Sequence, residues 1–523
     1  MRKVLCLVAA LALVALGRPA TAAAQERPHP GEEAHAAKAE APGKAPKETT
    51  VTTDHTITIN GKTIPYKATA GSILIKNDEG QPTALIYYWA YTRSDVKNLA
   101  ERPISFLYNG GPGSSSIWLH MGAYGPRRVV VANAAPTGAA PYQIVDNEYT
   151  LLPATDEVFI DPVGTGFSHA VGKAKDRDFW GVDEDVKSLA QFVTTYITRN
   201  DRWNSPKYLI GESYGTFRSV ALGNYLQSRD GMYLNGIVLM SSVLDLGTIS
   251  FHPGGDLPYI LYLPSYAATA WYHKVLNPRP ANLPEFIQQV THYAETTYAE
   301  ALLQGSTISQ TEKEAVAKQL SQYTGLSVDY LMNANLRVNL PQFMAELQRS
   351  RGLITGRLDA RFSGDTFDPL TEYGEYDPQS TALSGAYTAA FHTYITQELK
   401  FNPNRPYMVA ANGAGRFWDW KHETRGGGFG FPGAPNVEPD LKEALITNPH
   451  LYVQVENGYF DLATPFFETE YTMDHLDLPA NLQSHIGLKY YESGHMMYVR
   501  VPSLVKLSGN VQEFIKAHEA GQM

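Results

Sequence analysis

The chain has 523 residues, 43% of them hydrophobic and 18% charged, and carries a formal net charge of −10 at neutral pH. This size and apolar share exclude a mainly disordered chain and allow one large core, while the acidic balance argues against nucleic acid as a partner. A single cysteine, Cys6, excludes a disulfide scaffold.

In chain order, Arg2 and Lys3 precede an apolar stretch over residues 4–16, and Ala20-Thr21-Ala22 and Ala22-Ala23-Ala24 offer small-residue cleavage points. Residues 1–24 thus have the pattern of a signal peptide, and the apolar run is too short to span a bilayer. Removing the leader takes away Arg2, Lys3, Arg18 and Cys6 and makes the remainder more acidic. An exported, disulfide-free chain of this size fits a bacterial periplasm or culture medium, with no membrane attachment after cleavage. Residues 25–50 are rich in Ala, Pro, Glu, Lys and Gly and read as a disordered linker.

Beyond the linker, residues 55–59, 73–75, 84–91 and 104–108 have the apolar patterning of the first strands of a sheet. A short strand is expected at 157–161. Val182, Val186, Leu189, Val193 and Ile197 follow at helical spacing, and strands are expected from Leu209 and at 237–240. Strands alternating with helices imply a mostly parallel central sheet with helices on both faces. Between residues 242 and 448 the rhythm breaks. Phe286, Ile287, Val290 and Ala294 repeat as on a helix, Ser309-Gln310-Thr311-Glu312 has the form of a capping box, and strand patterns resume at 451–455 and 486–490. The expected class is α/β, with the α/β-hydrolase architecture split into 51–242 and 449–523 by a large, mainly helical cap at 243–448.

The chemistry centres on Gly211-Glu212-Ser213-Tyr214-Gly215, a G-x-S-x-G sequence between an expected strand and helix, which is the pattern of a nucleophile elbow. A serine hydroxyl needs a base, and the base needs an acid to orient it. Asp461 follows the strand at 451–455 and His495 follows the strand at 486–490, so Ser213, Asp461 and His495 stand in the chain order of this architecture. Glu456, Asp474 and Asp477 are rival acids, and His475 and His485 rival bases. Asn109-Gly110-Gly111-Pro112-Gly113 follows another strand, and backbone N–H groups of Gly111 and Tyr214 are suited to an oxyanion hole.

Four segments resemble the serine carboxypeptidase family: 109–116 with Gly125-Pro126, Asp161-Pro162-Val163-Gly164-Thr165-Gly166-Phe167-Ser168, 211–215, and Gly494-His495-Met496. The resemblance implies a triad of Ser213, Asp461 and His495, an oxyanion hole at Gly111 and Tyr214, and a site at Asn109, Gly110 and Glu212 for the free C-terminal carboxylate of a peptide. Glu212 binds another carboxyl only if one of the two keeps its proton, which favours binding at acid pH. Three positions depart from the family pattern. Ala123 replaces a second Glu ahead of Gly125-Pro126, Ser114 replaces a Cys, and Asp461 lacks the usual preceding Asp.

The expected activity is that of an exported serine peptidase releasing C-terminal residues through an acyl-enzyme. An esterase or acyltransferase with the same triad is the alternative, and a silent binding protein is a third reading that three intact triad positions oppose. No metal or cofactor motif is present: Asp365, Asp368, Glu372, Glu375 and Asp377 lack calcium-loop spacing and read as a solvated face. Trp418, Trp420 and Phe429 beside Gly426-Gly427-Gly428 read as buried packing rather than a pocket wall.

Overall fold

The computed structural model describes residues 46–422, 424 and 433–519. The expected signal peptide, most of the expected linker, Gly426-Gly427-Gly428 and Phe429 lie outside these described residues. The end of that linker is structured. Thr50 opens the first strand, and the Glu48 carboxylate accepts the Leu74 N–H at 2.7 Å and pairs with Arg199 at 2.7 Å. An ionised side chain aimed at a strand edge supplies the anchor that composition alone did not reveal.

Three long strands, β1 (Thr50–Ile59), β2 (Lys62–Lys76) and β3 (Pro82–Arg93), form an antiparallel meander. Six more are mutually parallel: β4 (Ile104–Tyr108), β5 (Asp156–Ile160), β6 (Lys207–Glu212), β7 (Gly236–Met240), β8 (Tyr452–Gly458) and β9 (Ile486–Tyr491). Their order is β1-β2-β3-β5-β4-β6-β7-β8-β9, and the short strand His169–Ala170 pairs with β3. From β4 the chain steps to β5 on one side, and from β6 onward it runs to the other. The reversal between β4 and β6 opens a crevice at the carboxyl ends of the strands.

Alternation along each strand sends side chains to two cores. On β3, Leu85, Tyr87, Trp89 and Tyr91 enter one, and Ala84, Ile86, Tyr88 and Ala90 the other. The second face is covered by α1 (Val182–Arg199) through Val186, Leu189 and Val193, and by α2 (Tyr214–Asp230) through Phe217 and Val220. The first is covered by helices Pro378–Gln397 and Val501–Ala517, whose Phe391, Tyr394, Leu504, Leu507 and Val511 are buried there.

The segment 243–448 divides its helices among three cores. Helices from Leu257–Tyr272 to Leu340–Glu346 share their own apolar core, which also takes in Phe460, Leu462, Phe466 and Phe467. Helix Pro378–Gln397 instead packs on the sheet, and helix Glu438–Thr447 docks on α2, where Asn224 Nδ2 donates to Asp440 at 3.0 Å. Apolar positions on those two helices match the sheet cores, a long-range pairing with no local signature. The expected capping box is half made: Ser309 accepts the Glu312 N–H at 3.2 Å. The acidic stretch is also more structural than a solvated face. Asp377 caps helix Pro378–Gln397 and accepts the Arg357 and Leu358 N–H groups, because a carboxylate satisfies the free donors of a helix start and a turn together. Among the described residues no helix is long and apolar enough to cross a membrane.

Candidate active site

β6 ends at Glu212 and α2 begins at Tyr214, leaving Ser213 alone in the turn with φ 62° and ψ −131°. A non-glycine residue in this region is strained by roughly 1–3 kcal/mol, so the surroundings must enforce it. They do so by close approach. A Cβ on Gly211 would lie 2.1 Å from the Gly215 oxygen, and one on Gly215 would lie 2.9 Å from the Tyr108 oxygen. The Ser213 N–H donates to the Met240 oxygen at 3.0 Å, and the Thr216 hydroxyl donates to the Ser213 oxygen at 2.7 Å.

Asp461 and His495 come together from the turns after β8 and β9. The His495 Nδ1 lies 2.7 Å from Asp461 Oδ2, and both side chains are buried. Asp461 also accepts the Ala463 N–H at 2.8 Å, the Thr464 N–H at 3.0 Å and the Thr464 hydroxyl at 2.9 Å. With Nδ1 engaged, Nε2 is the nitrogen left for chemistry. The end of β7 joins this pair to the elbow: Met240 holds the Ser213 N–H, and the next residue, Ser241, donates its hydroxyl to the His495 oxygen at 2.7 Å. Burial lowers the affinity of His495 for a proton, but the Asp461 and Glu212 carboxylates outweigh it and hold its pKa above the ordinary value.

The rivals stand elsewhere. Glu456 is buried among Gln454 and Tyr491, and Asp474 and Asp477 are exposed. His475 turns back on the Tyr471 oxygen at 2.7 Å, and His485 stacks on Tyr452 with ring centres 4.2 Å apart.

The loop after β4 crosses directly over the elbow. A Cβ on Gly110 would lie 2.4 Å from the Tyr214 nitrogen, and Gly111 has φ 103°. The N–H groups of Gly111 and Tyr214 have no acceptor among the described residues. Two free donors beside the serine are what a developing oxyanion requires.

Asn109 is clamped on both ends, its Oδ1 accepting the Leu119 N–H at 3.0 Å and its Nδ2 donating to Glu212 Oε1 at 2.8 Å. The Tyr498 hydroxyl faces the Glu212 carboxyl and interacts with it, although neither Glu212 Oε2 nor that hydroxyl makes a well-formed hydrogen bond among the described residues. Burial pushes the Glu212 carboxyl up to about 7, against the lowering effects of His495, Tyr498 and Asn109. Ala123 lies in the buried turn Leu119–Tyr124, and Tyr387 and Tyr498 pack against its neighbour Gly122, where a Cβ would lie 2.3 Å from the Tyr387 hydroxyl.

Three contributors escaped sequence reasoning. Tyr498 lies three residues past His495, with only that proximity as a signal. Arg218 is fully buried, pairs with Asp185 at 2.6 Å and donates to the Asn109 oxygen at 2.6 Å, which fixes the loop from beneath. Asp161 was seen only as part of a motif. Its Oδ1 accepts the Ser116 N–H at 2.8 Å, and a Cβ on Gly166 would lie 2.0 Å from its carboxylate, so the Asp-Pro-Val-Gly-Thr-Gly-Phe-Ser segment buttresses the far end of the same loop. Trp418 and Trp420 pack edge-on against Tyr214, with ring centres 5.3 and 5.8 Å away. Among the described residues no group of three His, Cys, Asp or Glu side chains is arranged to hold a metal.

Residues 60–248 match the family model for serine carboxypeptidase. Serine carboxypeptidase-like 9 of Arabidopsis thaliana is 25% identical over 38% of this chain, in an alignment that spans 44% of that protein. Serine carboxypeptidase-like 22 of the same plant is 22% identical over 79% of this chain and 78% of its own length. The crystal structure of a prohormone-processing carboxypeptidase, Kex1(Δ)p from Saccharomyces cerevisiae, superposes with a TM-score of 0.51 at 16% identity, covering 86% of this chain and 91% of that one. The fold is that of the α/β-hydrolases, and these similarities support the serine carboxypeptidase family.

Proposed function

We propose that this chain is an exported serine carboxypeptidase in which Ser213 attacks the C-terminal peptide bond, His495 takes and returns the proton, and Asp461 holds the His495 ring. The oxyanion of each tetrahedral intermediate is stabilised by the N–H groups of Gly111 and Tyr214, the released C-terminal amine leaves with the proton from His495, and water then hydrolyses the acyl-enzyme. The signal-peptide pattern at 1–24 supports export, and the absence of cysteine after Cys6 supports a bacterial periplasm or medium.

One observation carries the exopeptidase reading: next to the serine lies a buried carboxyl, Glu212, that faces the Tyr498 hydroxyl without a well-formed hydrogen bond among the described residues. A substrate carboxylate placed there accepts from Asn109, from Tyr498 and from the protonated Glu212. Two acids are not needed, because burial alone lets Glu212 keep its proton up to about pH 7. Ala123 is therefore compatible with C-terminal recognition, with Tyr498 as the hydroxyl partner of Glu212. The esterase or acyltransferase alternative uses the same triad without this carboxylate site.

Paired peptides that differ only in a free or amidated C-terminus provide the test. The free acid should be cleaved at least tenfold faster in kcat/KM at pH 5.5, with Ser213→Ala inactive on both. Equal rates on the two would support the alternative.

A further inference from the structure

Beside the turns that carry Asp461 and His495, an open cavity of ≈ 430 Å³ is lined by Lys274, Arg279, Arg361 and Arg500 with a single acid, Glu492. This concentration of positive charge stands out on a chain whose formal charge is −10. Arg361 is held rigidly. Its guanidinium is buried, pairs with Asp359, and donates to Ser493 Oγ at 2.9 Å and Asn133 Oδ1 at 3.0 Å, so one of its five N–H donors stays uncommitted. Arg279 lies flat on Trp271, 3.7 Å from the ring centre, which fixes its charge at the rim. Lys274 is exposed and makes no ion pair with a described residue. Arg361 is offset by Asp359 and Arg500 by Glu492, at 3.5 Å, so the excess positive charge rests on Lys274 and Arg279.

The sheet order says how the cavity relates to the serine. Asn109 follows β4 and Ser213 follows β6, whereas Phe460 and Glu492, which line the cavity, follow β8 and β9. A peptide with its C-terminus at Asn109 and Glu212 and its scissile carbonyl at Ser213 has its remaining length on the β7–β9 side. From β6 to β9 is three strand spacings, about 14 Å. An extended chain covers that in about four residues.

We propose that this cavity is an anion subsite that selects peptides with an acidic side chain about four residues before the cleaved bond. The inference rests on the carboxypeptidase reading and deepens it. Lys274 and Arg279 supply mobile and stacked charge at the mouth, and Arg361 supplies a preset donor at the wall.

The test uses hexapeptides that share one neutral C-terminal sequence and carry either Glu or Gln at each upstream position in turn. Wild-type kcat/KM should be about tenfold higher for Glu at the position that reaches the cavity, a preference that weakens at high salt. In the surface double variant Lys274→Glu/Arg279→Glu the preference should reverse. Equal rates for Glu and Gln at every position, or a preference that survives the double variant, would overturn the subsite. If Ser213 proves unnecessary for cleavage of any peptide, the carboxypeptidase reading fails first. Fluorescence anisotropy of the labelled peptides on Ser213→Ala protein then decides the cavity on its own: tighter Glu-peptide binding lost in the charge-reversed chain sustains it, and equal binding removes it.

Discussion

Replacing Glu212 by Gln keeps an N–H donor where the protonated carboxyl stands and removes its titration. In the wild type the carboxyl is neutral and donates below about pH 7, then ionises and repels a substrate carboxylate as the pH rises above that value. The ratio of kcat/KM for free-acid over amidated peptide should therefore fall with rising pH through 7, and should be flat in Glu212→Gln. His495 also titrates, but it acts equally on both substrates and cancels in the ratio. Asp461→Asn should lower kcat by about 10⁴-fold with the fold intact, since an amide favours the wrong imidazole tautomer. Steady-state kinetics with circular dichroism as a control checks it.

At the scale of elements, the loop after β4 and the start of α2 work as one part. Gly110→Ala places a methyl 2.4 Å from the Tyr214 nitrogen and, since it meets backbone atoms that cannot swing away, should lower kcat by 10²-fold or more and lower the melting temperature as well, as kinetics and thermal melts would read. Arg218→Met instead leaves Asp185 buried without its partner and should cost about 3–5 kcal/mol in urea denaturation. The elbow, α1 and the parallel strands were readable because their signals are local: a G-x-S-x-G between an apolar run and a 3.6-residue period needs no distant partner. The places of helices Pro378–Gln397 and Glu438–Thr447 are not legible locally, because what decides them is the fit of Phe391 to Trp89 or of Asp440 to Asn224, across more than two hundred residues. Asp461 and His495 were readable as a pair through order after strands. Arg218 and Tyr498 were not, because their importance comes from burial and from partners that only the folded chain brings near.

Over the whole molecule, buried acids dominate the pH response. Burial raises Asp161 to about 6, Glu212 and Glu456 to about 7, and Glu468 to about 8. Folded carboxyls with raised pKa values bind protons more tightly than the unfolded chain, so their contribution is whole below the unfolded carboxyl range and is lost as pH climbs toward 7–8. His120, lowered by burial to about 3, acts in the opposite sense below 6.5. Thermal melts should thus show lower stability at pH 8 than at pH 6.5, with a decline again toward strongly acid pH. The loop that presents Asp461 sends Phe460, Leu462, Phe466 and Phe467 into the interior of the helical bundle over the sheet. An engineer who trims that bundle to obtain a minimal hydrolase would uncover greasy side chains on both sides of the acid. The two layers therefore have to be inherited, recombined and redesigned as a single piece.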